Sequence, residues 1–447
     1  MKVLNSEPTR ITKWLSDPRT PQVLSVAAIV ILAAAPVIFF IRNLIFFPCH
    51  ARDFYPYFHQ CACGLTGLAL FCFLYQCLTQ KRSLPRILRG CPPMLWFIAF
   101  AVLMILSSIV NGLNNYALYG YNVNETFFLS LAFFLLYVPA GMLIHRPADK
   151  RLILRVLVFA AAFTGVTELI HIYIVPLEVY KAYTAYRLEP ALMFPNTNFY
   201  GYLLSIMIPG CAGMAAAEEK IGWKLFAALT FLANCVVLIL NGTLGAVLAV
   251  GVALVFQIIV LLLTERRLSW ITLALLVCYI GLYIGLGAYY AAVFRDIRIT
   301  ANDLANPADE YNSDLYSTNI RILLWKESLH LIAEKPLFGW GDEGTFDILA
   351  KNLGEGRAHN EYLQYTMYYG IPAGICYIAG CFSVYLRGLK NRRRLDRFSV
   401  AALTAAFGYL TSAFVGNTKM LTTGLFLALL GLGFSIPAEE PEKSPET

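Results

Sequence analysis

Three side chains on polar stretches of an otherwise apolar chain are of types that carry group-transfer chemistry: Arg187, Arg321 and His359. An arginine fork donates two parallel hydrogen bonds to phosphate oxygens and keeps its charge in a low-dielectric setting. Histidine titrates near neutral pH and is the side chain most often used to take a proton from an attacking hydroxyl. Glu189 follows Arg187 by two residues, close enough in sequence to orient it. Each also has a plainer reading. Both arginines suit interfacial anchors whose stems lie along apolar surface, and His359-Asn360 suits the start of a helix.

Arg321 and His359 belong to the stretch from Asn319 to Gly374, which closes the longest polar interval of the chain. Ser317-Thr318-Asn319 predicts an N-cap, and Ile322, Trp325, Leu329 and Ile332 recur at helical spacing until Pro336. That pattern predicts an amphipathic surface helix of about fifteen residues, with Trp325 as a packing or interface residue. A second short helix is expected from about Thr345 to Leu353, stopped by Gly354. Gly339, Gly341 and Gly370 suit turns and close helix approach.

Composition sets what must hold these residues. Hydrophobic residues make up 58% and charged residues 14% of the 447, against roughly half and a quarter in soluble domains. The apolar residues come in long runs, not in the alternation of barrel strands, so helices must satisfy the backbone in hydrocarbon. The expected class is an all-α polytopic membrane protein. Twelve spans are read at about 22–46, 59–79, 92–110, 126–145, 152–174, 199–217, 223–240, 243–263, 269–292, 360–386, 398–416 and 418–436. The tight turn Asn241-Gly242-Thr243 joins the seventh and eighth. The N-terminal segment and the loops after the even-numbered spans through the tenth are short and basic, which puts them and both termini in the cytoplasm. The chain then divides into a nine-span segment 1–292, an outward helical loop 293–357, three further spans in 358–436, and an acidic tail 437–447. The polar first twenty or so residues argue against a cleaved signal peptide.

The net charge of +7 is spread over loops and not gathered on one domain, which argues against a nucleic-acid partner. No D-x-D, H-E-x-x-H or EF-hand pattern is present, so no metal or other cofactor is expected; Asp303, Asp309, Glu310 and Asp314 read as a solvated acidic surface. Most of the 11 cysteines lie inside apolar runs, where they act as small hydrophobes, whereas a bridge from Cys49 to Cys61 or Cys63 stays open. Glu168 and His171 are ionisable groups inside a span and are candidates for function or for snorkelling, as are Arg42 and Lys419 near span ends.

The order Arg321, Trp325, Pro336, Gly339, Gly341, His359-Asn360, Gly370 and Gly374 resembles the signature of the O-antigen ligase and polymerase superfamily, R-x3-W, P-x2-G-x-G and HN-x9-G. Arg187 followed by Phe194-Pro195-Asn196-Thr197-Asn198 is similar to that family's arginine and F-x-N-P-N-like turn. Gly242-Thr243-Leu244-Gly245-Ala246 is similar to its S-R-G-A patch, departing from it where Leu244 replaces the arginine.

The resemblance implies a GT-C-like bundle that moves a glycan from undecaprenyl pyrophosphate to a hydroxyl on a lipid or glycan acceptor. It implies a multi-pass protein of the bacterial cytoplasmic membrane with its active site on the extracytoplasmic side, among membrane lipids. His359 would be the general base of an inverting transfer, Arg187 and Arg321 would hold the leaving pyrophosphate, and Asn198, Trp325, Gly339, Gly341, Asn360 and Glu189 would support them. Ligases and repeat-unit polymerases share these features, and nothing in the residues reads the acceptor. A transporter or flippase would also suit twelve spans; transporters often show repeats and broken helices at matching places in both halves, and the chain shows no such duplication.

Overall fold

A computed structural model describes the backbone of residues 10–45, 51–80, 88, 91–112, 127–174, 197–305, 313–354, 356–392, 395–416 and 420–434. Arg187, Glu189, Pro195-Asn196, Cys49, Lys419, Asp309, Glu310 and the acidic tail lie outside the described residues, as do the side chains of His171, Asp303 and Asp314. Helices account for all the regular structure among the described residues. In order they are α1 Arg10–Ser16, α2 Thr20–Ile45, α3 Ala51–Thr79, α4 Pro92–Val110, α5 Phe127–Ala132, a π turn Phe133–Tyr137, α6 Val138–Met142 and α7 Pro147–Ile174. Then follow α8 Thr197–Ala217, α9 Ile221–Asn241, α10 Leu244–Thr264, α11 Arg266–Ala305, α12 Ser313–Glu334, α13 Gly341–Leu353, α14 Glu361–Tyr369, α15 Ile371–Lys390, α16 Arg397–Ser412 and α17 Met420–Gly433.

Among the described residues 9 helices are long and apolar enough to cross a membrane, which makes this a multi-pass membrane protein. The apolar pieces Ser130–Met142 and Thr422–Gly433 and the 16-residue α16 are shorter. They fall where the fourth, twelfth and eleventh spans are expected. Of the nine crossings, Asn198–Ala217 is the one enclosed by protein almost throughout. It can sit there because its neighbours approach closely: a Cβ on Gly408 of α16 would overlap the Ser205 carbonyl oxygen of α8. This central helix brings Asn198 and Tyr202 to one end of the bundle.

The opposite end is tied by ion pairs. Lys150 Nζ lies 2.8 Å from Asp396 Oδ2, and Asp396 Oδ1 also caps α16 by accepting from the Phe398 and Ser399 N–H groups. Arg397 pairs with Glu265 at 2.8 Å. Glu218, whose side chain is fully buried, accepts from Arg151 and from Arg155 Nε at 2.6 Å, and Arg155 also stacks 4.3 Å from the Trp223 ring centroid. Burial alone would raise the Glu218 pKa, but the hydrogen bonds and charges of Arg151 and Arg155 outweigh it and bring it down to about 2. Because the folded-state value is depressed, the stability that this pair adds is complete above the ordinary glutamate range and is lost as pH falls towards 2. Glu218→Gln is expected to cost about 2 kcal/mol at pH 7, less than the usual loss for a buried pair because both arginines are a quarter exposed. A detergent melting curve checks this, and equal melting of variant and wild type at pH 7 would remove the pair from the account.

Three local expectations change. The helix expected to be capped at Ser317-Thr318-Asn319 already begins at Ser313, because the backbone continues helically through those residues without using them as a cap. The ninth span continues as helix to Ala305, beyond the expected end near 292. The tenth span, read as one helix over 360–386, is two. It breaks at Gly370, whose φ of +91° is closed to other residues without strain and whose Cβ would strike the Leu337 carbonyl oxygen. The chain folds back there: Tyr377 of α15 donates to the Glu361 carboxylate although 16 residues separate them, and the Tyr365 and Tyr377 rings lie 4.8 Å apart. A straight helix would set residues that far apart in sequence about 24 Å from one another. α14 and α15 therefore form a helical hairpin.

Candidate functional site

The Pro336-to-Gly341 segment is fastened to the turn of that hairpin. Ile371 N–H donates to the Pro336 carbonyl at 2.7 Å, Trp340 N–H to the Met367 carbonyl at 3.0 Å, and Trp340 Nε1 to the Leu331 carbonyl at 2.8 Å. Gly339 (φ +63°) leaves no room for a Cβ against the Met367 and Tyr368 carbonyls, and Gly341 (φ +73°) starts α13 beside Asn111 of α4. Ser107 and Asn111 complete the clamp by donating to the Phe338 carbonyl. Both glycines thus serve backbone packing, and the clamp fixes α12 relative to α14.

α12 contributes Arg321 and Trp325, one turn apart. Arg321 is half-buried and lies near enough to the Tyr202 hydroxyl of α8 for its charge to be felt there. Tyr202 in turn donates to the Val415 carbonyl at 2.9 Å. Trp325 Nε1 is enclosed and has no hydrogen-bond partner in the structure.

α14 opens with His359 immediately before its cap. Asn360 is the N-cap: its side chain accepts from Leu363 N–H at 3.1 Å, so its part is to start the helix. His359 has a φ of +49°, and it is the one non-glycine residue with positive φ among those described. Such a conformation costs of order 1–3 kcal/mol and persists where the surroundings over-determine it, often at functional sites. Glu361, two residues on, supplies that constraint. Glu361 N–H donates to the Ala413 carbonyl at 2.9 Å, two residues before the Val415 that accepts from Tyr202.

The upstream patches reach the same region. Thr243 Oγ1 lies 3.5 Å from Asn198 Oδ1 and 2.6 Å from Asn241 Oδ1. A Cβ on Gly201 would meet the Thr243 side chain, and one on Gly245 the Val415 side chain. The start of α8, the 241–243 turn, the end of α16 and the first turn of α14 thus meet at one end of the bundle, and α12, which packs against α14, carries Arg321 within electrostatic reach of Tyr202. Gly242, with φ +74°, ends α9 there as the tight turn requires.

Residues 229–378 match the O-antigen ligase family. That span covers the 241–246 patch, Arg321, Trp325, the Pro336-to-Gly341 clamp, His359-Asn360 and Gly370. It agrees with the superfamily that the motif order resembles. α8 and its Asn198 lie upstream of the match and join it through Thr243. An O-antigen ligase match implies a ligase- or polymerase-type transferase acting on lipid-linked glycans. No curated protein matches the chain.

Two residues of this end escape a reading by sequence. Glu361 is fully buried, with its carboxylate accepting from Tyr377 and, at 2.6 Å, from Tyr409. Tyr202 is likewise buried, within electrostatic reach of Arg321. A run of acidic and aromatic residues after His359 looks amphipathic in one dimension, and the fold-back at Gly370 is what turns it inward. Glu168 is fully buried inside the bundle, within electrostatic reach of the Tyr200 hydroxyl.

Proposed function

We propose that this protein transfers a glycan from undecaprenyl pyrophosphate to an acceptor hydroxyl at the extracytoplasmic face of the membrane, with inversion at the anomeric carbon. The observation that carries the reading is that Tyr202, the 241–243 turn and the first turn of α14 meet at the end opposite the basic ion pairs, with Arg321 on the helix that packs against α14. His359 takes the acceptor proton as the hydroxyl oxygen forms its bond to the anomeric carbon. The glycosyl–phosphate bond breaks with its electron pair on the phosphate oxygen, and Arg321, joined by Arg187, holds the growing negative charge. Arginine suits that task because its two parallel donors match the phosphate oxygens. The positive-inside distribution supports the sidedness, since the basic loops gather at the other end.

Incubating purified protein with undecaprenyl pyrophosphate-linked glycan and a hydroxyl acceptor should release free undecaprenyl pyrophosphate as the acceptor gains glycan. Intact donor after prolonged incubation with every acceptor class would refute the proposal. The glycans of a strain lacking the protein sort the acceptor: single repeat units on the final acceptor mark a lost polymerase, and long chains retained on the carrier mark a lost ligase.

A further inference from the structure

We infer that Glu361 is a positioning residue for His359: its buried carboxylate pins the first turn of α14, at the open end of the α14–α15 hairpin, and thereby holds the imidazole in reach of the acceptor. This inference rests on the function proposed above and adds a residue to it.

His359 occupies a left-handed backbone conformation, and the three residues from 359 to 361 leave it little freedom. Asn360 caps α14 through Leu363 N–H, and Glu361 N–H is held by the Ala413 carbonyl at 2.9 Å. The third restraint is the Glu361 side chain. One oxygen accepts from Tyr377 on α15 and the other from Tyr409 on α16, and the Tyr409 hydroxyl also meets Thr423 Oγ1 of α17 at 2.6 Å. The carboxylate thus ties α14 directly to α15 and α16, and through Tyr409 to α17. Tyr377 is itself fixed by the rings of Phe100, Phe134 and Tyr365, so the anchor is rigid on the protein side. A buried carboxylate is costly unless it is hydrogen-bonded, and hydrocarbon contacts would fill the same space more cheaply. Here its hydrogen bonds set the position of the chain next to the strained residue. A displacement of about 1 Å at a reacting group can cost on the order of a hundredfold in rate.

The test compares Glu361→Ala and Glu361→Gln in the purified transfer assay, with His359→Ala as a parallel arm. The alanine variant loses both anchors, and its kcat should fall by about ten- to a hundredfold while KM for the donor stays within about twofold. The glutamine variant can keep both: its amide oxygen accepts from Tyr377, and its amide nitrogen donates to Tyr409, whose proton turns to Thr423. It should recover most of the lost kcat. Wild-type kcat in the alanine variant overturns the inference. So does a KM that rises in step with the fall in kcat, or a glutamine variant as slow as the alanine one. Should the alanine variant fail to fold, Tyr377→Phe with Tyr409→Phe removes the donors while keeping the rings and is expected to show the same kcat loss. Wild-type kcat in that pair is equally fatal. If His359→Ala itself retains transfer, the wider reading of the site falls; if it is inactive while Glu361→Ala is normal, only the positioning role falls.

Discussion

Replacing His359 with alanine is expected to reduce glycan transfer by about 10²- to 10⁴-fold, the range that a positioned general base contributes. The residue sits where the helical hairpin begins, with a backbone conformation that its neighbours enforce, and its ring is half-buried. An acceptor hydroxyl attacks poorly while it keeps its proton, so loss of the imidazole should lower kcat more than it raises KM. The change leaves the Asn360 cap and the Glu361 anchors in place, so the amount of protein in the membrane and its melting temperature should stay near wild type. Alanine also adopts positive φ less readily than histidine, so a His359→Asn variant serves as the control: asparagine tolerates this backbone but is not a base. Both variants should be inactive. Wild-type transfer by either one would remove His359 from the chemistry, and inactivity in the alanine variant alone would trace the loss to the backbone.

The second large effect is expected at Arg321. Arg321→Lys keeps the positive charge near Tyr202 but exchanges a planar fork for a single ammonium, so the two parallel bonds to phosphate oxygens become one. By analogy with the removal of one donor from a site of developing charge, kcat/KM should fall by about 10²-fold. A residue that merely anchors α12 at an interface would be served as well by lysine, whose stem is also long and apolar. An unchanged rate at limiting donor would therefore assign Arg321 to anchoring. Measuring at limiting and saturating donor separates weaker binding from slower chemistry.

How much of this was legible before the fold was known depends on what each residue's neighbours decide. Hydrophobic runs place most of the nine long crossings to within a few residues, the tenth expected span excepted, because length and apolarity are local properties. The motifs that bring Arg321 and His359 forward are local as well. The hairpin at Gly370 is not. Gly370 followed by Pro372 is a local stop signal, yet a glycine within an apolar stretch reads equally well as close packing inside a continuous helix, and the Leu337 carbonyl of a distant segment lies where a Cβ would be. The inward turn of Glu361 follows from that break, and the enclosure of α8 follows from Gly408 and its neighbours on α16. Neither arrangement can be inferred from the residues that undergo it. Asn360 and Gly341 show the reverse: their types are read correctly, and the structure gives them a cap and a turn.

The fold-back of α14 fixes a depth. Tyr377 stands seven residues along α15 from Gly370, so its partner Glu361 lies about 10 Å beneath the rim of the hairpin at 1.5 Å per residue. His359, two positions earlier, stands at that same level, while the Pro336-to-Gly341 clamp is fastened at the turn of the hairpin. For the transfer proposed above, a donor tethered by a hydrocarbon tail would reach that level without leaving the membrane, whereas a freely diffusing sugar would have to shed its hydration to do so.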